Sequence, residues 1–97
     1  MKAHLEYIHG GSILIVDRDV DLCLLLKVYF LRKGVKVSIA HSIQDVLNLI
    51  PQLEPDVVII SETFYLDSSE IIKTLLTSSS KIKMIISNQE IIYYEKT

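Results

Sequence analysis

Asp17, Asp19 and Asp21 alternate along the chain, with Arg18 set between the first two. Alternating acids have the look of a hard-cation site, since Mg2+ takes oxygen ligands and usually one or two carboxylates. A plainer role competes with that one. Asp19 and Asp21 stand where a helix should begin, and a negative charge there meets the positive end of the helix dipole. A guanidinium in a cation's shell would repel it, so Arg18 is expected to pair with Asp17, Asp19 or Glu62, or else to remain solvated. Ser61-Glu62 puts a hydroxyl beside a base. A serine is un-ionised at neutral pH, however, and successive strand residues point to opposite faces. Ser87-Asn88 is a further polar pair at the end of an apolar run. Cys23 is the single cysteine, which excludes an internal disulfide; on a helical stripe it reads as a small apolar contact rather than a reactive thiol. His4, His9 and His41 show no metal-ligand spacing and read as solvated. There is no P-loop, no glycine-rich dinucleotide fingerprint and no recognisable hydrolase triad.

The elements that must position these residues follow from apolar patterning. Ile13-Leu14-Ile15-Val16 is a short β-branched run of the kind a parallel sheet buries on both faces, Val57-Val58-Ile59-Ile60 reads as another buried strand, and Val35 to Ile39 and Ile82 to Ile86 read as two further strands. Asp19 or Asp21 caps a helix reaching about Lys33, closed by Gly34 in a left-handed turn. Ser42-Ile43-Gln44-Asp45 has the form of a capping box before Val46, Leu47, Leu49 and Ile50, and Pro51 should kink or end that helix. Asp67-Ser68-Ser69-Glu70 is expected to cap a third helix carrying Ile71, Ile72, Leu75 and Leu76. Strands alternating with helices at this spacing mean βαβ units, right-handed crossovers and an α/β fold. Chemistry in such a sheet sits beyond the carboxyl ends of the strands. That gathers Asp17-Arg18-Asp19, Ser61-Glu62 and Ser87-Asn88 at one edge. Residues 1–12, ending in Gly10-Gly11-Ser12, read as a flexible leader to a single domain over 13–97.

In the order and spacing of these pieces, over roughly residues 13–87, the chain resembles the receiver domains of two-component response regulators. Ile13 to Asp17 is similar to their first strand and its first acid, and Asp21-Leu22 through Gly34 to their first helix. Val46-Leu47 to Pro55-Asp56 matches the spacing from their second helix to their third strand. The resemblance implies a three-layer flavodoxin-like fold with a parallel sheet in the order 2-1-3-4. The usual fourth and fifth helices have no room, since ten residues follow Ser87. Receivers accept a phosphoryl group on an aspartate ending the third strand, with Mg2+ held by acids ending the first. Carried across, the acceptor position is Ser61 and the metal-ligating acid is replaced by Arg18. Asp17 keeps the first acid, and Ser87 keeps the hydroxyl that senses the phosphoryl group. Asp17, Arg18, Ser61 and Ser87 are therefore expected to form a vestigial phosphoacceptor pocket without catalysis, Mg2+ or any other cofactor. Tyr93-Tyr94-Glu95-Lys96 resembles the fifth strand, with a switch aromatic at Tyr93 and a phosphate-pairing lysine at Lys96, although Thr97 stands where the family has proline. This segment either folds back antiparallel through a turn at Asn88-Gln89 or pairs with another chain.

The first helix carries two apolar stripes at about 100° per residue. Leu22, Leu25, Leu26, Tyr29 and Phe30 form the expected core face. Val20, Cys23, Leu24, Val28 and Leu31 lie almost opposite, with Lys27 the only charge among them. A surface helix should be polar there. That second stripe, with Ile91, Ile92 and Tyr94, is expected to be a protein interface, most simply of a homodimer. The chain is 49% apolar and 23% charged, which excludes disorder. A net charge of −2 leaves no basic stripe for nucleic acid. The longest apolar run, Leu22 to Leu26, is too short for a bilayer, and Met1 to Ser12 lack the apolar core of a signal peptide. A cytoplasmic protein without membrane contact is expected. The functional expectation is a degenerate, non-enzymatic receiver-like signalling module that associates with a second copy, a histidine kinase or another response regulator. The alternatives are a phosphorelay receiver using Ser61 or Glu62, and an unrelated flavodoxin-like binder of a small molecule.

Overall fold

The computed structural model of the chain describes residues 2–3, 11–78, 81–87 and 93–96. Each of the four expected strands forms over five residues: β2 (Ser12–Val16), β3 (Lys36–Ala40), β4 (Val57–Ser61) and β5 (Lys83–Ser87) follow β1 (Lys2–Ala3) and precede β6 (Tyr93–Lys96). Between them lie α1 (Val20–Leu31), α2 (Ile43–Leu53) and α3 (Glu62–Thr77). The sheet runs β1-β6-β5-β4-β2-β3, and its four inner-sequence strands β3, β2, β4 and β5 are all parallel. This is the expected 2-1-3-4 order of a flavodoxin-like sheet, without the later helices among the described residues.

Alternation along the strands builds two cores. Leu14, Val16, Val58, Ile60, Met84 and Ile86 meet Val46 and Ile50 of α2 and Phe64 and Ile72 of α3. Ile13, Ile15, Ile59 and Ile85 point the other way, onto Cys23, Leu26 and Phe30 of α1. The result is three layers, with α1 the one helix on its face among the described residues. No helix among the described residues is long and apolar enough to cross a membrane.

The helix ends follow local chemistry. Asp19 caps α1, its carboxylate accepting from the Leu22 amide at 3.0 Å. Gly34, at φ +75°, closes it: the Gly34 amide donates to Leu31 O and the Val35 amide to Phe30 O, while Val35 and Phe30 are both buried. That bonding pair, with apolar residues at its two ends, is the Schellman arrangement. Ser42 caps α2. Pro51 does not end α2, contrary to expectation: the helix runs on to Leu53, and Glu54 in the left-handed region (φ 44°) returns its amide to Ile50 O at 3.0 Å. Proline has no amide to give the Leu47 carbonyl, so α2 forgoes one bond there and is closed three residues later by the Glu54 amide.

Three further expectations are corrected. The third helix does not start at Asp67; it starts at Glu62 directly after β4, with a kink at Ser68 (φ −132°, ψ 21°). Residues 1–12 are not all a loose leader. Lys2–Ala3 pair antiparallel with Tyr94 and Tyr93, and Ser12 opens β2, where the Asp56 carboxylate accepts from its amide at 2.9 Å. Gly11 next to it is at φ +73°, and a Cβ there would lie 2.6 Å from that carboxylate. On α1 the buried face is Cys23, Leu26 and Phe30, so Cys23 is a core residue and not an interface one, while Leu25 and Tyr29 are exposed. The rest of the outward stripe is as expected: Val20, Leu24, Val28 and Leu31 are 50–53% exposed.

Of the two fates open to the C-terminal segment, the chain takes the first. β6 lies antiparallel on β5, with Ser87 opposite Tyr93 and Met84 opposite Lys96. The turn expected at Asn88-Gln89 and the apolar pair Ile91 and Ile92 lie outside the described residues.

Candidate functional site

Register brings the carboxyl ends of three strands level. Val16 pairs with Ile60, and Ser61 with Ser87, so Asp17, Ser61 and Ser87 share one edge of the sheet. Crossovers leave in opposite directions here: α1 covers one face and α2 the other, which makes the gap between β2 and β4 the switch point where open α/β sheets place ligands.

Each polar side chain at this edge has a local task. The Asp17 carboxylate accepts from the Asp19 amide at 3.0 Å, turning the chain from β2 into α1. Asp19 is spent on the N-cap, and Asp21 is exposed in the first turn. The three acids therefore do not converge. Among the described residues, no three His, Cys, Asp or Glu side chains are placed to hold a metal ion. Ser61 is the N-cap of α3, its Oγ accepting from the Phe64 amide at 3.2 Å. The Ser87 hydroxyl is buried and points back to Ile60 O at 3.5 Å.

Arg18 spans the gap. Its Nη1 donates to Asp67 Oδ2 at 3.1 Å, and its guanidinium lies 4.8 Å from the centre of the buried Phe64 ring. The expected partners, Asp17, Asp19 and Glu62, are not the ones it takes. With α3 beginning at Glu62, Phe64 and Asp67 stand three residues apart on one helix face, and a single arginine covers both. The pair is well exposed, 58% and 64% for the two side chains, so its contribution is below about 1 kcal/mol.

A second cluster flanks Asp17. His41 Nδ1 lies 2.8 Å from Asp17 O and must donate to it, because a carbonyl only accepts. The Cys23 thiol also points at Asp17 O, at 3.6 Å, with His41 Nδ1 3.9 Å away. Burial, and after it the charges of Asp17 and Asp19, push the Cys23 thiol up from 9.0 to about 11. It is a thiol and not a thiolate at neutral pH, which leaves the Cys–His contact without a nucleophile.

The structure thus unites Asp17, Arg18, Ser61 and Ser87 and separates the two remaining candidates. Tyr93 stands opposite Ser87 at the site's end of the sheet, whereas Lys96 lies three residues further along, about 10 Å towards the opposite end. A reversed strand cannot bring both to the same edge. Phe64, Asp67 and His41 join the site unannounced; the one signal for the first two was their three-residue spacing after Ser61. Comparison of the chain with the patterns of known protein families gave no match, and neither did comparison with curated protein sequences.

Proposed function

We propose that the chain is a non-catalytic, receiver-like signalling module of the two-component response-regulator type, acting by protein–protein association without aspartyl phosphorylation. The observation that carries this reading is the state of the switch point. Where the receiver likeness asks for a phosphate-accepting aspartate, Ser61 has its Oγ committed to the start of α3. Where it asks for a metal-binding carboxylate, Arg18 lies across Phe64 and pairs with Asp67. A hydroxyl without an adjacent base is a poor nucleophile, and a guanidinium beside the pocket disfavours a divalent cation. What remains for such a module is recognition: a second copy, a histidine kinase or another response regulator, met through the outward face of α1. Incubation with Mg2+ and acetyl phosphate, followed by intact mass measurement, tests the pocket. No gain in mass is expected. A stable gain of one phosphoryl group would overturn the reading in favour of a phosphorelay receiver with an unusual acceptor.

A further inference from the structure

We propose that the outward face of α1 is a two-fold interface on which α1 of a second copy packs antiparallel. This rests on the association reading above and names its partner. Val20, Leu24, Val28 and Leu31 fall within an arc of about 80° at roughly 100° per residue. Each is 50–53% exposed. Their spacing of four, four and three residues runs the stripe down the full 12-residue helix, a length of about 18 Å.

The charges beside the stripe select the partner and its direction. Asp21 and Arg32 are eleven residues apart, close to three full turns, so they flank the same edge of the stripe. Both are exposed, and neither forms an ion pair among the described residues. A parallel arrangement about a two-fold axis would put this edge of one copy against the far edge of the other, leaving Asp21 of one copy and Arg32 of the other on opposite sides of the contact, where they cannot pair. An antiparallel arrangement about a two-fold axis sets Asp21 of each copy beside Arg32 of the other, twice, and also opposes the two helix dipoles. Leu24 of one copy then meets Val28 of the other at the centre. Lys27, half-buried on the far edge, extends its ammonium clear of the contact on its four-carbon stem.

Four half-exposed aliphatic side chains per copy, with Leu25 beside them, reach the lower end of specific interfaces, on the order of 1,000 Å² in total. Interfaces this small belong with weak, transient pairs, and area does not itself set affinity, so association is sought around a concentration on the order of 10 μM. Sedimentation equilibrium of the full chain, above and below that concentration, reads it as a mass rising to twice that of the chain. Leu24→Glu is expected to weaken association by about 100-fold, by burying a charge at the centre; Leu31→Glu serves if Leu24→Glu loses its helical circular dichroism. Asp21→Arg and Arg32→Asp should each weaken it by roughly threefold to tenfold, and the two together should restore it. A chain that stays monomeric at every concentration overturns the dimer. A double reversal weaker than either single change overturns the antiparallel register. The phosphodonor test reads mass gain and not oligomeric state, so a monomer that takes no phosphoryl group refutes the dimer alone, and a phosphorylated dimer refutes the pocket reading alone.

Discussion

In the proposed receiver reading Ser61 and Arg18 hold the two positions on which the chemistry would depend, and both are engaged in keeping the start of α3 in place. The Ser61 hydroxyl satisfies an amide that the first turn of a helix leaves without a partner. Ser61→Ala should therefore lower stability by about 1 kcal/mol in urea denaturation. Ser61→Asp should stay within about 0.5 kcal/mol of the wild type, since aspartate caps as well and complements the helix dipole. A loss with Ser61→Asp as large as that with Ser61→Ala would mean that the hydroxyl is not acting as a cap. Cys23 makes a pH-dependent contribution whose sign is fixed by burial. Its proton is held more tightly in the folded chain than in the unfolded one, so the stabilisation is complete below about pH 9 and is lost as pH rises towards 11. The readout is the difference between the wild type and Cys23→Ala, in which the other groups of the chain cancel. The wild type should lose more stability than the variant across that interval; parallel pH profiles would contradict the buried thiol. Alkylation of Cys23 at neutral pH should likewise be slow until the chain is unfolded.

The elements show which features of a sequence carry structure and which do not. The four expected strands became the four parallel strands within a residue of their expected bounds; Ile13 to Val16 and Val57 to Ile60 were plainest, because a strand buried on both faces must be apolar at successive positions. The start of α3 was hidden for a local reason. Ser61 ends β4 and caps the next helix with no linker between, while Asp67-Ser68-Ser69-Glu70 is itself a good capping sequence and lies at the kink instead. β1 was illegible, because Lys2–Ala3 has no strand pattern and its partner is at the other end of the chain. On α1 two stripes were visible, but their rotation was off by enough to misplace Cys23. Ten of its 12 residues are apolar, and periodicity cannot orient a helix that is apolar nearly all round. The candidate site was legible where it depended on strand ends and illegible where it depended on where a helix began. The join between β2 and β4 offers a test at this scale. Gly11 has both a positive φ and the Asp56 carboxylate 2.6 Å from where a Cβ would sit, whereas Gly34 has a positive φ over open space. Gly34→Ala should cost about 1–2 kcal/mol for the left-handed conformation alone. Gly11→Ala should cost more, by roughly a further 1 kcal/mol or above, as the Asp56 bonds to Ser12 are displaced. Equal costs in thermal or urea unfolding would show that the carboxylate gives way freely.

At the scale of the whole molecule the question is where a chain of 97 residues that is 49% apolar puts that material. Two cores take the strand residues and one face of each helix. Among the described residues, six of the ten large apolar side chains left exposed lie on α1. That imbalance follows from the layering, since α2 and α3 share one face of the sheet while α1 is the one helix on the other among the described residues. In the proposed reading, such a concentration on a single helix is the surface that a partner covers. If that partner is a second copy, two kinds of contact hold the pair: an apolar stripe and two Asp21–Arg32 contacts at its rim. Salt separates them, because exposed charges are screened within about 10 Å at 0.1 M and within about 3 Å at 1 M, whereas apolar burial is not screened. Rim ion pairs of this kind are each worth no more than about 1 kcal/mol. The two together are worth at most about 2 kcal/mol, so raising sodium chloride from about 0.1 M to about 1 M should weaken dimerisation by less than roughly thirtyfold. Leu24→Glu should remove it at either salt concentration. A loss of a hundredfold in salt, measured by sedimentation equilibrium, would mean that charge holds the copies together and that the exposed stripe of α1 is covered by something else.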